Sequence, residues 1–239
     1  MYTRIYLYVL LIIIVIIIVS LIIIYDIKNI ENYQEDNIPH IIHQTAPADK
    51  SKWKQDWYIC QESWNKNFPD WQYKLWTDED NDNFVKLEFP EFYKTYNNYD
   101  KLIYKIDMVR YCILYKYGGI YADMDYLVFK NFYDELPQDK ISITESPWKN
   151  FEYIQNALMI SPPKANFWLL CIDECYKTKN EYVFHATGPK LLTFIYFKYP
   201  ELVNVLPLDI YNPSILDESS YDPEILYAKH LCTEVYLED

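Results

Sequence analysis

The chain holds only three glycines, and two of them stand side by side at Gly118 and Gly119. A backbone that uses glycine so rarely and then doubles it marks a turn whose dihedral angles other residues resist. The pair separates a helical pattern over residues 100–117 from an alternating one that ends in Asp123-Met124-Asp125. Helix, glycine turn, strand and paired carboxylates therefore form one local device, and the rest of the chain must fold around it.

At 100° per residue, Leu102, Ile103, Ile106, Val109, Ile113, Leu114 and Tyr117 share an apolar arc, with Lys101, Lys105 and Lys116 opposite. The helix is predicted to end with Gly118 in the left-handed position after its last turn. Arg110 falls inside the apolar arc, and Asp107, three residues earlier, lies at its edge. A structural ion pair is one reading. The other starts from the five donors of a guanidinium, of which one carboxylate uses two at most. Acceptors from elsewhere, such as a sugar hydroxyl or a phosphate, are then expected.

Beyond the glycines, Ile120, Ala122 and Met124 alternate with Tyr121, Asp123 and Asp125, so one strand is predicted to present both carboxylates on one face. Two acids this close repel unless a cation lies near them. Oxygen ligands of this kind suit Mn²⁺ or Mg²⁺ completed by substrate phosphates. A bare Asp-x-Asp string more often marks a solvated turn; its place at a strand's carboxyl end favours the metal.

The flanking sequence alternates strand and helix patterns. Residues 38–45 read as a first strand, and 50–66 as a helix with Trp53, Trp57, Cys60 and Trp64 on a core-facing stripe. Residues 71–76 read as a second strand, followed by Thr77 as the cap of an acidic helix start. The order implies a layered α/β domain. His40 and His43 cannot both point one way on a strand, which makes them a poor metal pair. Residues 164–178 read as an amphipathic helix, and Pro189 as the first residue of another.

Residues 5–25 are uncharged and almost wholly aliphatic, between Arg4 and Asp26. As a helix this run reaches about 30 Å, enough to cross a bilayer. No small-residue cleavage site follows, so an uncleaved transmembrane anchor over residues 1–25 is expected; a cleaved or merely buried segment is the alternative. A polar stem over 26–37 and one domain over 38–239 complete the expected organisation. The single basic residue before the run implies a type II, single-pass membrane protein with its domain in a secretory-pathway lumen. Net charge is -13, and Arg4 is the only charge in residues 1–25, which leaves -14 on residues 26–239. Such a domain repels nucleic acid and anionic lipid headgroups, so a phosphate-bearing ligand needs a cation. The five cysteines show no CxxC spacing and signal neither zinc nor a disulfide framework.

Three ordered blocks, IPHIIHQT at 38–45, SWNKNFPDWQYKLWTDED at 63–80 and DMVRYCILYKYGGIYADMD at 107–125, resemble glycosyltransferase family 32. That family includes yeast-type Golgi α-mannosyltransferases and inositol-phosphoceramide mannosyltransferases, and is similar to the glucosylating domains of clostridial toxins. The resemblance implies a GT-A, Rossmann-like domain and a retaining transfer of mannose, glucose or galactose. The donor would be GDP-mannose or a UDP-hexose; the acceptor would be a glycan, lipid or protein. By position, Asp123 and Asp125 would hold metal and diphosphate, and Asp107 and Arg110 the donor sugar. His43, Gln44, Thr45 and Tyr121 would contribute to donor binding. Asn156 would face the sugar and Gly188 would lie toward the acceptor, although a strand-end hydrogen bond and a helix start account equally well for these two.

The C-terminus departs from the family pattern. His230 is a candidate third metal ligand although the Trp that accompanies such a His in relatives is missing. Ala46 stands where relatives often have Trp, which weakens the case for base stacking there. A nucleotide-sugar-binding protein without turnover, and a metal-dependent phosphohydrolase, are the rival readings.

Overall fold

The computed structural model describes residues 37–147, 153–213 and 224–233. The chain divides into two units, Met1–Glu35 and Asp36–Asp239. All described residues fall in the second, so the expected anchor and nearly all of the stem lie outside them. Among the described residues no helix is long and apolar enough to cross a membrane.

In chain order the elements are β1 (Ile41–Thr45), α1 (Gln55–Asn67), β2 (Gln72–Trp76), α2 (Asp78–Glu88), α3 (Pro90–Asn97) and α4 (Leu102–Tyr117). Then come β3 (Gly119–Ala122), β4 (Tyr126–Val128), β5 (Ile141–Glu145) and β6 (Ile154–Ser161). The last part contributes α5 (Asn166–Lys177), α6 (Val183–Ala186), α7 (Pro189–Lys198), β7 (Val203–Leu206), α8 (Leu208–Tyr211) and β8 (Ala228–His230). Local chemistry explains several boundaries. Thr77 and Asp80 form a reciprocal capping box at the start of α2, and Pro90 opens α3 at a position where its missing N–H is not needed.

Six strands form a mixed sheet in the order β2-β1-β3-β6-β5-β7, and β4 and β8 pair separately. The first three are parallel, whereas β6 runs antiparallel to β3. This reversal matters for the site, because it sets the start of β6 beside the carboxyl end of β3. Side chains on the central strands alternate between two cores, as the pleat requires. Ile120, Ala122, Leu158 and Ile160 pack with Trp64 and Phe68, while Tyr121, Ile143 and Met159 pack with the buried residues of α4, α5 and α7. All five cysteines are free, and four of them, including Cys171 and Cys175, are buried.

The glycine turn differs in detail from the expected left-handed cap. Gly118 takes φ 63° and ψ -153°, outside the left-handed helical region and in one that essentially only glycine occupies. Gly119 follows at φ 85°. A Cβ would lie 2.6 Å from Pro163 N at Gly118 and 2.5 Å from Ile41 O at Gly119, so neither position has room for one. Helix α4 begins at Leu102 rather than at Asp100, and Trp53 precedes α1 instead of belonging to it.

Candidate active site

Strand β3 stops at Ala122, one residue before the first carboxylate. The expectation of both acids on one strand face is therefore corrected: Asp123, Met124 and Asp125 form a turn. Asp123 N still donates to Ala157 O at 2.8 Å, and Tyr126 N then donates back to Asp123 O at 3.0 Å. The turn leads into β4, where Tyr126 pairs with His230 of β8. That pairing delivers the histidine to the second carboxylate, with His230 Nε2 3.0 Å from Asp125 Oδ1. The other oxygen of Asp125 accepts from Thr233 N at 2.8 Å and Thr233 Oγ1 at 3.0 Å. One ligand atom from each of Asp123, Asp125 and His230 falls within 4.8 Å of the others.

Behind this triad stands Arg110, 1% exposed. Its Nη1 donates to Asn156 O at 2.8 Å and lies 3.2 Å from Asp123 Oδ1, and its Nη2 lies 3.1 Å from Asp107 Oδ1. Acceptors beyond Asp107 are present, as expected, but they are protein groups rather than a ligand. A carbonyl of β6 and the first acid of the turn supply them, through a contact 46 residues away in the chain. Asp107 is itself sealed, accepting from Asn156 Nδ2 at 2.9 Å. Burial pushes its carboxyl up to about 6 against the pull of Arg110. Burial also raises Asp123, again against Arg110 and with Asp125 adding to the rise. Burial alone would raise Asp125 and lower His230, but their mutual hydrogen bond and charge reverse both directions, aided at Asp125 by Thr233.

These groups meet at a cleft of about 320 Å³. Of the residues singled out in the sequence, Thr45, Arg110, Asp123, Asp125, Asn156 and His230 line it. Asp107, Tyr121, His43, Gln44 and Gly188 do not line it. Tyr121 OH donates to Asp123 Oδ1 at 3.2 Å and lies 2.9 Å from Thr45 Oγ1. Gln44 Nε2 donates to Asp123 O at 3.0 Å. A Cβ at Gly188 would lie 3.3 Å from Asp107 Oδ2.

His43 is a correction. It is wholly buried, with Nε2 3.1 Å from Gly118 O and Nδ1 accepting from Trp76 Nε1 at 3.1 Å. Burial pushes its imidazole down to about 3, and with both ring nitrogens bonded to protein groups the ring does not line the cleft as expected.

Sequence reasoning missed Trp57, Gln155 and Phe184 as lining residues. Trp57 was assigned with Trp64 to a single core stripe, but the helix turns it toward Ala46 and the cleft, leaving Cys60 and Trp64 buried. Gln155 adjoins Asn156, and simple alternation would turn it to the other face; the β5–β6 register shifts here, between Ile143–Met159 and Thr144–Gln155. Its Oε1 lies 3.3 Å from His230 Nδ1.

Residues 54–147 match the family described as the glycosyltransferase sugar-binding region containing a DXD motif. The chain is 33% identical to the mannosyl phosphorylinositol ceramide synthase CSH1 of Saccharomyces cerevisiae, over 70% of this chain and 44% of that protein. It is 28% identical to an uncharacterized glycosyltransferase of Acanthamoeba polyphaga mimivirus, over 84% of this chain and 80% of that one. The chain spans 28% to 58% of the length of five fungal relatives that it matches. Among solved structures, the PaToxG glycosyltransferase superposes with a TM-score of 0.54 at 16% identity, covering 70% of each chain. The fold is thus the GT-A arrangement of glycosyltransferases.

Proposed function

We propose that this chain, which belongs through residues 54–147 to the glycosyltransferases with a DXD-containing sugar-binding region, moves a hexose from a nucleotide-sugar to a lipid-linked acceptor. The reading is carried by the convergence of Asp123, Asp125 and His230 on one cleft in a domain too acidic to hold a diphosphate unaided. Two carboxylates and an imidazole are a donor set that fits Mn²⁺ or Mg²⁺, and these three residues would hold it. Such an ion, when bound, supplies neutralisation of the departing diphosphate.

The chain's other residues position this set. Thr233 fixes the second oxygen of Asp125, and Gln155 fixes the ring of His230. Tyr121 and Arg110 hold Asp123, and Thr45 in turn bonds to the Tyr121 hydroxyl. Arg110 lines the cleft, held by the Asn156 carbonyl beside it and by Asp107 from behind, so we assign sugar contact to Arg110 and a positioning role to Asp107. The names of the fungal relatives favour a mannose donor and an inositol-phosphoceramide acceptor, with transfer retaining the anomeric configuration as the family resemblance implies. On the same reading residues 1–25 anchor the chain in a secretory-pathway membrane with this domain in the lumen.

The full chain incubated with a panel of nucleotide-sugars and Mn²⁺ should release nucleoside diphosphate, and Asp125→Ala should abolish that release. Tight donor binding without release would replace the enzyme with a binding protein, and release of inorganic phosphate would replace it with a hydrolase.

A further inference from the structure

We propose that the outer face of α7, together with the aromatic lip of the cleft, is a docking surface for a bilayer that carries anionic headgroups. Lys190, Phe194, Phe197 and Lys198 fall at i, i+4, i+7 and i+8 of α7 and form one stripe. Phe197 is 70% and Phe194 44% exposed, whereas Leu191, Leu192 and Ile195 face the core. Lys198 Nζ lies 3.8 Å from the centroid of the Phe194 ring, its stem covering an aromatic face while its charge stays in water.

The stripe is continuous with the cleft. Pro189, at the start of α7, lines it, as do Phe184 and Leu102. Tyr182, 57% exposed, stacks on Phe184 with ring centroids 5.7 Å apart. Tyr104 OH donates to Glu181 O at 3.2 Å, which ties the start of α4 to this lip.

Charge selects the occupant. From Tyr182 to Pro200 there is no Asp or Glu, in a chain that has 35 of them, and the same segment carries Lys190 and Lys198. The domain as a whole repels an anionic surface. At physiological salt, however, a charge is felt over only about 8 Å, so the local face decides whether contact forms. Exposed aromatics flanked by lysines on an amphipathic helix suit the headgroup boundary of a bilayer. If the proposed transfer to a lipid-linked acceptor holds, this placement opens the cleft where such an acceptor's headgroup lies.

An anchored chain stays with vesicles whatever this face does, so bulk binding is uninformative and a local probe is needed. The full chain carrying Phe197→Cys is labelled with a nitroxide and reconstituted in phosphatidylcholine vesicles with and without phosphatidylserine. Leu87→Cys on α2, at a residue 78% exposed, serves as the aqueous control. Background labelling is measured on the chain without an introduced cysteine, since Cys232 is half-buried. Oxygen collisions should exceed nickel-chelate collisions at position 197 and reverse at position 87. Adding phosphatidylserine should raise the ratio at 197 several-fold, and Lys190→Glu with Lys198→Glu should cancel that rise. Nickel access at 197 equal to that at 87 overturns the proposal. Suppression of both collision rates also overturns it, because that pattern marks a protein partner or a second copy. Neither readout requires turnover, so a failure here is separable from a failure of the proposed activity.

Discussion

His43 on β1 and His230 on β8 are both buried, 0% and 9% exposed, and burial alone would keep each imidazole neutral. Their partners separate them. His43 sits between a carbonyl and an indole N–H, so its Nε2–H, Nδ1-acceptor tautomer satisfies both and a second proton would face Trp76 Nε1–H. His230 has Gln155 Oε1 on Nδ1 and the Asp125 carboxylate on Nε2, and it opens onto the cleft. With Nδ1–H donated to Gln155, Nε2 is left with a lone pair that a proton or a metal ion can take. Two neutral partners close off the ring of His43; a carboxylate on Nε2 at a cleft leaves His230 open to a ligand.

The test on the cleft side of this contrast is a loss of activity rather than of stability. His230→Ala should weaken Mn²⁺-dependent nucleoside diphosphate release by at least about 10–100-fold, the loss typical of even an outer-shell partner. Metal titration at saturating donor checks it, and unchanged Mn²⁺ affinity breaks the comparison. His43→Ala should act on folding, with a cavity and two unpaired polar groups costing about 2–5 kcal/mol. Denaturant unfolding measures that loss, while donor affinity of the folded fraction should stay as in the parent.

The smallest effect concerns pH. The folded-state value of His43, about 3, lies below an unfolded value near 6.5, so the unfolded chain binds the extra proton first. The contribution is fully present above about pH 6.5 and is lost as pH falls toward 3, at roughly 1 kcal/mol per unit. His43→Gln removes this slope, and the difference between the two unfolding profiles from pH 7 to 5 isolates it. Parallel profiles would mean that His43 is already charged in the folded state.

Much of the site was legible before any fold was known. The helix, the Gly118-Gly119 turn after it and the nearness of the two carboxylates follow from local pattern, and His230 comes within 4.8 Å of those carboxylates. What was not legible involved partners distant in the chain. Arg110 looked short of acceptors because only its own helix could be inspected, whereas the antiparallel entry of β6 brings the Asn156 carbonyl to it. The alternation of residues 120–125 suggests a continuous strand, but the ladder with β6 ends at the bond from Asp123 N to Ala157 O and the chain turns there. Trp57 and Trp64 share a helical stripe in one dimension, yet one wall of the cleft and one core claim them separately.

By itself the sequence determined local matters: which segments become helix or strand, where glycine is obligatory, and which residue types able to hold a metal or a sugar are available. Periodicity and steric limits act over a few residues and are readable there. Tertiary structure alone decided which histidine is sealed and which opens onto the cleft, and which residues answer Arg110. Those outcomes depend on strand order and direction. A hydrogen bond's partner is set by what the folded sheet brings within about 3 Å, not by what lies nearby in the chain.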